Sequence, residues 1–167
     1  METSAELNQA VVASFRSAMR RMGSTVTIVT ANDGERRHGM TMTAVSSLSM
    51  DPPALLICVN RSSLLSDILI GARTFCVNVL RHDQTEVSNA FSGAASPEER
   101  FFVGRWGAHW SGVDCLDTAQ ANIVCRKSAA VPYGTHMIVI GTVEDVTLHG
   151  NGSDEDRPLM YRNASYC

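Results

Sequence analysis

The sequence lacks cysteines at the spacing of a zinc site or of a Cys-x-x-Cys redox motif. Its five cysteines lie 18, 39, 10 and 42 positions apart, at Cys58, Cys76, Cys115, Cys125 and Cys167. An odd number without paired spacing is typical of a reducing compartment. The first residues also lack the basic and apolar regions of a secretory signal. We therefore expect a cytoplasmic protein whose cysteines have structural roles and bind no metal.

Neither sign of charge dominates the chain, and long hydrophobic runs are absent. The 14 basic and 17 acidic side chains give a formal net charge of -3. This balance is not the basic footprint of proteins that bind nucleic acid or anionic membranes. No apolar run approaches the roughly 18 residues of a membrane span. We expect no nucleic-acid partner and no membrane association.

Several widespread cofactor and nucleophile motifs are absent as well. The sequence has no G-x-G-x-x-G after a strand and no G-x-x-x-x-G-K-[ST], so neither a Rossmann dinucleotide site nor a P-loop is indicated. It has no G-x-S-x-G elbow and no H-E-x-x-H motif. The acidic segment 149–157 lacks the alternating carboxylates of an EF-hand, which predicts a solvated loop.

The N-terminal part has the pattern of a helix followed by a β-hairpin. Thr3 and Glu6 form a capping-box pattern, and apolar residues then recur at helical spacing until Gly23. Residues 24–41 alternate β-branched and other side chains around the turn residues Asn32–Gly34. This alternation around an Asn-Asp-Gly turn predicts two antiparallel strands.

The rest of the chain predicts strands with short helices between them. Strands are expected at 54–60, 74–80 and, as a long pair joined by a turn at 132–134, within 119–148. Helices are expected at 62–72 and 83–93. The uniformly apolar strand 54–60 is predicted to be covered on both faces. The pattern indicates one barrel-like, mainly β domain over residues 1–167 with two or three peripheral helices.

Two polar clusters flank the apolar strand 54–60. The first is a row of small hydroxyls at Thr41, Thr43, Ser46, Ser47 and Ser49. The second is Asn60–Ser63, where the strand gives way to a helix. Small donors along a strand suit the edge of a flat heteroaromatic ring, and amides, hydroxyls and an arginine at a helix start suit a phosphate. The alternative is that these residues only line a strand edge and cap a helix.

Seven short segments along the chain carry a family resemblance through their order. They are FRSAM (15–19), TVTIVT (25–30), GMTMTAVSSLSMDPPALLICVNRSS (39–63), FCVNVL (75–80), FSGAASPEERF (91–101), GTHMIVIGTV (134–143) and PLMYRNASY (158–166). In this order they resemble the flavin reductase family, the short flavin-dependent reductases that supply two-component monooxygenases.

The resemblance implies a split β-barrel with Greek-key connections, a homodimer, and FMN or FAD held near the subunit interface. It implies NADH or NADPH as hydride donor, with reduced flavin diffusing to a partner flavin-dependent monooxygenase. Two other functions stay open at this point. In the first, the protein reduces another acceptor, such as a corrinoid or a quinone. In the second, it is an FMN-binding module without nicotinamide chemistry.

The resemblance also implies roles for individual residues. Flavin-binding residues implied in this way are Thr41, Met42, Thr43, Ala44, Ser47, Asn60, Arg61, Ser62, Ser63, Phe91 and Arg100. On the nicotinamide side it implies His136, the candidate catalytic group, together with Tyr161, Arg162 and Tyr166. Many relatives have aspartate at the position of Thr135, so a carboxylate partner for His136 is not expected here. Hydride transfer itself needs two stacked rings and no obligatory protein acid or base.

Overall fold

Twelve β-strands and three α-helices occur in the part of the chain that the computed structural model describes, residues 4–150 and 156–167. The helices are α1 (Ser4–Met19), α2 (Leu64–Gly71) and α3 (Thr85–Asn89), with a π-helical turn at Ala90–Ala94 and a 3-10 turn at Arg100–Phe102. The strands are β1 (Ser24–Thr25), β2 (Thr27–Asn32), β3 (Arg37–Met42), β4 (Val45–Met50), β5 (Pro53–Asn60), β6 (Thr74–Val79), β7 (Trp106–Ala108), β8 (Asp114–Leu116), β9 (Ala121–Tyr133), β10 (His136–Leu148), β11 (Met160–Arg162) and β12 (Ser165–Tyr166).

The main sheet has seven strands in the order β3-β2-β6-β9-β10-β5-β4, and every neighbouring pair is antiparallel. Its two outermost strands, β3 and β4, follow one another in sequence and are joined only by Thr43 and Ala44. Because that connection is two residues long, the facing ends of β3 and β4 lie within about 11 Å of each other. The sheet therefore curves strongly. The expected mainly β class with few helices is confirmed.

Two hydrophobic clusters form the core. One fills the space between the sheet and α2, where Ile57, Leu65, Ile68 and Phe75 have essentially no exposed surface. The other lies beside β1 and the segment 85–119, and it includes the fully buried Phe91. Two smaller sheets, β1-β11-β12 and β7-β8, lie outside the main one. No helix in the two described ranges is long and apolar enough to cross a membrane.

The predicted N-terminal hairpin is confirmed, and side chains of its own turn stabilise it. The backbone N–H of Gly34 donates to Asn32 Oδ1 at 2.8 Å. The Asp33 carboxylate accepts the N–H of Glu35 at 3.0 Å and that of Arg36 at 2.8 Å. Short Asn and Asp side chains satisfy the turn amides in this way. Thr3, half of the predicted capping box, lies outside the described residues, as do most of 149–157.

Two local predictions were wrong. Strand β5 alternates, with Leu55, Ile57 and Val59 buried and the residues between them only half-buried, because one face packs on the core while the other is less covered. The helix expected to begin at residue 83 starts instead at Thr85, after Gln84. Asp83 forms an ion pair with the guanidinium of Arg81 at 2.6 Å, a contact between near neighbours that the helical pattern did not indicate.

Candidate functional site

A cleft of about 530 Å³ opens where the end of β3 meets the helical turn 85–94 and the C-terminal hairpin β11–β12. Its lining residues are Val26, Thr41, Met42, Thr43, Asn89, Ser92, Tyr161, Ala164, Ser165 and Tyr166. Five of them belong to the residues that the resemblance implied. The volume lies in the range of small-molecule sites, and the lining mixes hydroxyl, amide and aromatic groups as such sites do.

A chain of hydrogen bonds ties the walls of the cleft together. Thr41 Oγ1 donates to the carbonyl oxygen of Ser88 at 2.7 Å. The Ser88 hydroxyl is 2.9 Å from the hydroxyl of Tyr166, which donates to Asn89 Oδ1 at 3.0 Å. The Thr41 hydroxyl therefore donates its proton within the protein. Toward a ligand it acts as a hydrogen-bond acceptor through its oxygen lone pairs.

The C-terminal hairpin holds two aromatic rings at the cleft. Tyr161 and Tyr166 are cross-strand partners in β11–β12, with ring centroids 5.5 Å apart and nearly edge-to-face. Asn163 and Ala164 turn the hairpin with φ values of 52° and 62°. The N–H of Asn163 also donates to the carbonyl oxygen of Arg20 at 2.9 Å, which attaches the turn to the end of α1. Backbone hydrogen bonds within the hairpin, and from its turn to Arg20, thus hold the two rings in place.

The second polar cluster and His136 form a separate group at the end of β5, which we call the strand-end cluster (Asn60–Ser63 and His136). Asn60 and His136 are partners in the β5–β10 ladder. The N–H of Arg61 donates to the Thr135 carbonyl oxygen at 3.0 Å. The amide and hydroxyl of Ser62 both donate to Asn60 Oδ1 at 3.0 Å. Ser63 is half-buried and the other members are exposed, and none lines the cleft within this chain.

Ser63 has the capping role that the alternative interpretation gave it. Its hydroxyl donates to the Asn60 carbonyl oxygen at 2.7 Å and accepts the N–H of Ser66 at 3.2 Å, so it is the N-cap of α2. His136 has a hydroxyl partner in place of a carboxylate, since its Nδ1 lies 2.9 Å from Thr135 Oγ1. A neutral hydroxyl therefore orients the ring.

Ala44 connects the cleft to the strand-end cluster. Its carbonyl oxygen accepts the N–H of Cys58 at 3.0 Å, directly beside the cleft residue Thr43. Asn60 is two residues further along β5, which corresponds to about 7 Å at the rise of an extended strand. A ligand that lies along residues 43 and 44 therefore reaches the strand-end cluster with a short chain.

The aromatic residue that begins the FSGAASPEERF segment is in the core, and its neighbour faces the cleft. Phe91 is fully buried between the rings of Phe101 and Trp106, at centroid distances of 5.2 and 4.9 Å. Ser92 lines the cleft instead. The π-helical turn that produces this arrangement ends through Gly93, whose φ of 121° favours glycine. Phe91 thus positions Ser92 and has no exposed side chain.

Arg100 and Ser47 also lie outside the cleft lining. Arg100 Nη1 is 3.1 Å from His38 Nε2 and donates to the Gly39 carbonyl oxygen at 3.1 Å, so it braces β3 from behind. Its Nε donates to the Ala95 carbonyl oxygen at 3.2 Å. Ser47 is exposed on the edge strand β4. Sequence analysis missed Asn89 and Ser92, although Ser92 stands inside the motif that was singled out.

Burial of His38 predicts a loss of stability in mild acid. Desolvation, with the charge of Arg100 as a second cause, lowers the pKa of His38 to about 4. The unfolded chain binds this proton below pH 6.5, so the contribution of His38 is complete above that pH and is lost as the pH falls toward 4. We expect a loss of about 3 kcal/mol in the free energy of unfolding.

Urea titrations of the wild type and of His38→Asn across this pH window measure the effect. Asparagine offers Arg100 an acceptor and does not titrate, so the variant should have a flatter profile between pH 6.5 and 4. Equal slopes for the two proteins would show that His38 is not the group responsible.

Comparison with known proteins decides the family. A model described as the flavin reductase like domain matches residues 19–167. The chain belongs to this family. The reductase component of the FADH2-dependent resorcinol hydroxylase of a Rhizobium strain is 50% identical over 92% of this chain and 84% of its own. An NADH-dependent FMN reductase, RutF of Pseudomonas syringae, is 40% identical over 91% and 83%.

Solved structures agree with this membership. The flavin reductase HpaC, determined as a complex with NADP+, superposes with a TM-score of 0.83 and 27% identity over 93% of this chain and 96% of that one. The flavin reductase family therefore accounts for nearly the full length of the chain.

Proposed function

We propose that this protein is an NAD(P)H:flavin oxidoreductase that reduces FMN or FAD and passes the reduced flavin to a flavin-dependent monooxygenase. The observation that carries the proposal is the cleft, in which Thr41, Thr43 and the Tyr161–Tyr166 pair meet in a member of the flavin reductase family. The relative that is 50% identical is itself the reductase component of a hydroxylase. Once bound, the flavin supplies the redox chemistry, and the protein supplies orientation.

The residues of the two polar groups fit a flavin nucleotide. We place the isoalloxazine edge against Thr41, Met42, Thr43 and Ala44, of which the first three line the cleft. The ribityl chain then follows β5 for about 7 Å. The phosphate meets the amides, hydroxyls and guanidinium of Asn60–Ser63, which are the donors that phosphate prefers.

A homodimeric split barrel is the second part of the proposal. The short link between β3 and β4 suits a sheet that nearly closes on itself. Helix α1 exposes an apolar row in which Leu7, Val11 and Phe15 are 52%, 65% and 65% accessible. Such a contiguous row is typical of a surface that a partner covers. We expect one domain per subunit, with α1 in the subunit interface and the flavin cleft near it.

Light scattering coupled to gel filtration tests the dimer. The expected mass is about twice the 18.1 kDa of one chain. Val11→Asp in the exposed row should shift the protein toward the monomer and lower flavin affinity, because a charge in an apolar interface is costly. A wild-type species of one chain mass with full reductase activity would contradict the dimeric site.

NADH consumption with added FMN, FAD or riboflavin tests the activity. We expect purified protein to carry less than one flavin per chain and to consume NADH rapidly only when free flavin is supplied. A fully flavinated protein that does not turn over free FMN would instead indicate another electron acceptor. Absence of any acceleration over the uncatalysed rate would indicate a binding module.

His136→Ala is expected to raise the KM for NADH or to lower kcat several-fold, because the imidazole helps to hold the nicotinamide in contact with the flavin. Thr135→Ala, which removes only the hydroxyl beside His136 Nδ1, should have a smaller effect in the same direction. The matched control is His82→Ala, since His82 is exposed and outside the cleft lining. Unchanged steady-state kinetics of His136→Ala would remove this residue from the site.

A further inference from the structure

A second groove, of about 380 Å³, adjoins the cleft on the side of helix α1. It shares Thr43, Tyr161 and Ala164 with the cleft, so the two spaces are continuous along these residues. Arg16, Arg20 and Arg162 also line it, and we call it the arginine groove. The roles derived above for the ring and phosphate of a mononucleotide do not use Arg16 or Arg20.

The groove is positively charged in a protein that is acidic on balance. Its lining contains three arginines and no aspartate or glutamate, whereas the whole chain has a net charge of -3. The ion pairs described for arginines in residues 4–150 and 156–167 involve Arg36, Arg37, Arg81, Arg105 and Arg126. A local excess of guanidinium groups beside a ligand cleft attracts an anion.

Backbone contacts hold the walls of the groove in place. The hydrogen bond from the Asn163 N–H to the Arg20 carbonyl oxygen joins the end of α1 to the C-terminal turn. Ser24 and Tyr161 are partners in the ladder between β1 and β11, which joins the chain just after α1 to the same hairpin. Both connections fix the helix end against the residues that line the cleft.

We propose that the arginine groove binds the pyrophosphate of an adenine dinucleotide whose redox-active ring lies in the cleft. This rests on the proposed function. A pyrophosphate carries two adjacent anionic groups, and arginine binds phosphate oxygens through paired N–H donors. FMN has one phosphate, which the proposed function assigns to the strand-end cluster. Because FAD shares that phosphate, an FAD tail reaches the groove only if its ring is reversed in the cleft, whereas an NAD(P)H tail reaches the groove beside a bound flavin. The groove begins at Thr43 and Tyr161, where the longer tail of a dinucleotide leaves the ring site.

Either FAD or NAD(P)H can supply this pyrophosphate, and truncated ligands distinguish the two sources. Reduced nicotinamide mononucleotide lacks the pyrophosphate of NADH, and FMN lacks that of FAD. The experiment compares wild type, Arg16→Ala/Arg20→Ala and the control Arg21→Ala. Arg21 directly follows Arg20 in the turn after α1 but lies outside the groove lining.

If the nicotinamide tail occupies the groove, the double variant should raise the KM for NADH at least fivefold relative to that for reduced nicotinamide mononucleotide, with FMN as acceptor. If the FAD tail occupies it, the Kd for FAD should rise at least fivefold relative to that for FMN. In both cases kcat should change less than twofold, because the lost contact is equal in the ground and transition states. Arg16→Lys/Arg20→Lys should restore part of the affinity.

The proposal is overturned if two ratios both stay within twofold of their wild-type values in the double variant. They are the KM for NADH over that for reduced nicotinamide mononucleotide, and the Kd for FAD over that for FMN. If the alanine double variant does not fold, the affinities of the lysine variant and the salt dependence of wild-type binding test the proposal instead. The wild-type preference for the dinucleotide over its mononucleotide should shrink as KCl screens the charges, and a salt-independent preference overturns the proposal. The Kd comparison needs no turnover, so a protein without NADH oxidation would refute the proposed function and still test the groove.

Discussion

Thr43→Trp is expected to lower kcat/KM for FMN about 100-fold or more, which is the loss that misplacement of a bound reactant by about 1 Å produces. Thr43 is exposed, and it lines both the cleft and the arginine groove. An indole at this position fills their common entrance. Because the side chain has no buried contact to lose, the melting temperature should stay within about 2 °C of the wild type.

Two controls isolate the effect of bulk in the cleft. Thr43→Ser keeps a hydroxyl of similar size and should retain activity within a few-fold. Thr147→Trp places the same indole on an exposed position of β10, away from the cleft, and should leave kinetics unchanged. Full activity of Thr43→Trp would mean that the flavin ring does not lie along residues 41–44.

Gly141→Ala is expected to lower the free energy of unfolding by about 3 kcal/mol, the upper part of the range for overpacked cores. A Cβ at Gly141 would lie 2.5 Å from Phe75 Cζ and 2.7 Å from Cys125 Cβ, both in the buried core. The neighbours are a ring held on all sides and an atom next to the backbone, so neither can give way cheaply. The melting temperature should fall by about 10 °C.

Thermal and urea unfolding of the variant measure this loss directly. Gly23→Ala is the matched control, since its new methyl would meet only Met160 Cε at an ordinary 3.7 Å. Its stability should equal that of the wild type. A Gly141→Ala protein as stable as the wild type would show that Phe75 and Cys125 relax without cost. Phe75→Leu combined with Gly141→Ala should recover part of the loss, because it removes the ring that clashes.

The site combines elements that are far apart in sequence. For this reason no single segment of the sequence indicates more than a small part of the site. The cleft needs the end of β3, the turn after α3 and the C-terminal hairpin, linked through Ser88 and Tyr166. The arginine groove further needs the end of α1. Sequence patterns indicated α1, β3 and a helix at 83–93 but not the C-terminal hairpin. The contacts between these elements span 47 residues for Thr41–Ser88 and 78 for Ser88–Tyr166.

Local patterns in the sequence were sufficient for the N-terminal hairpin, the Ser63 cap of α2 and the long β9–β10 pair. In each case the deciding interactions are between near neighbours: turn amides with Asn32 and Asp33, Ser63 with Ser66, and strands joined by a short turn. The ordered motifs also sufficed for the family. These features depend on short-range geometry or on whole-chain similarity, and neither requires knowledge of the packing.

Tertiary structure alone decided which polar residues meet. Phe91 and Ser92 are adjacent in one motif, yet the first enters the core and the second faces the cleft, because the π-helical turn rotates successive side chains apart. His136 and Asn60 are neighbours only through the β5–β10 ladder. Arg16 and Arg20 line the groove beside the cleft because a C-terminal turn bonds to the end of α1. A linear pattern records residue types and spacing, whereas these juxtapositions arise from pairing between distant strands and the burial it requires.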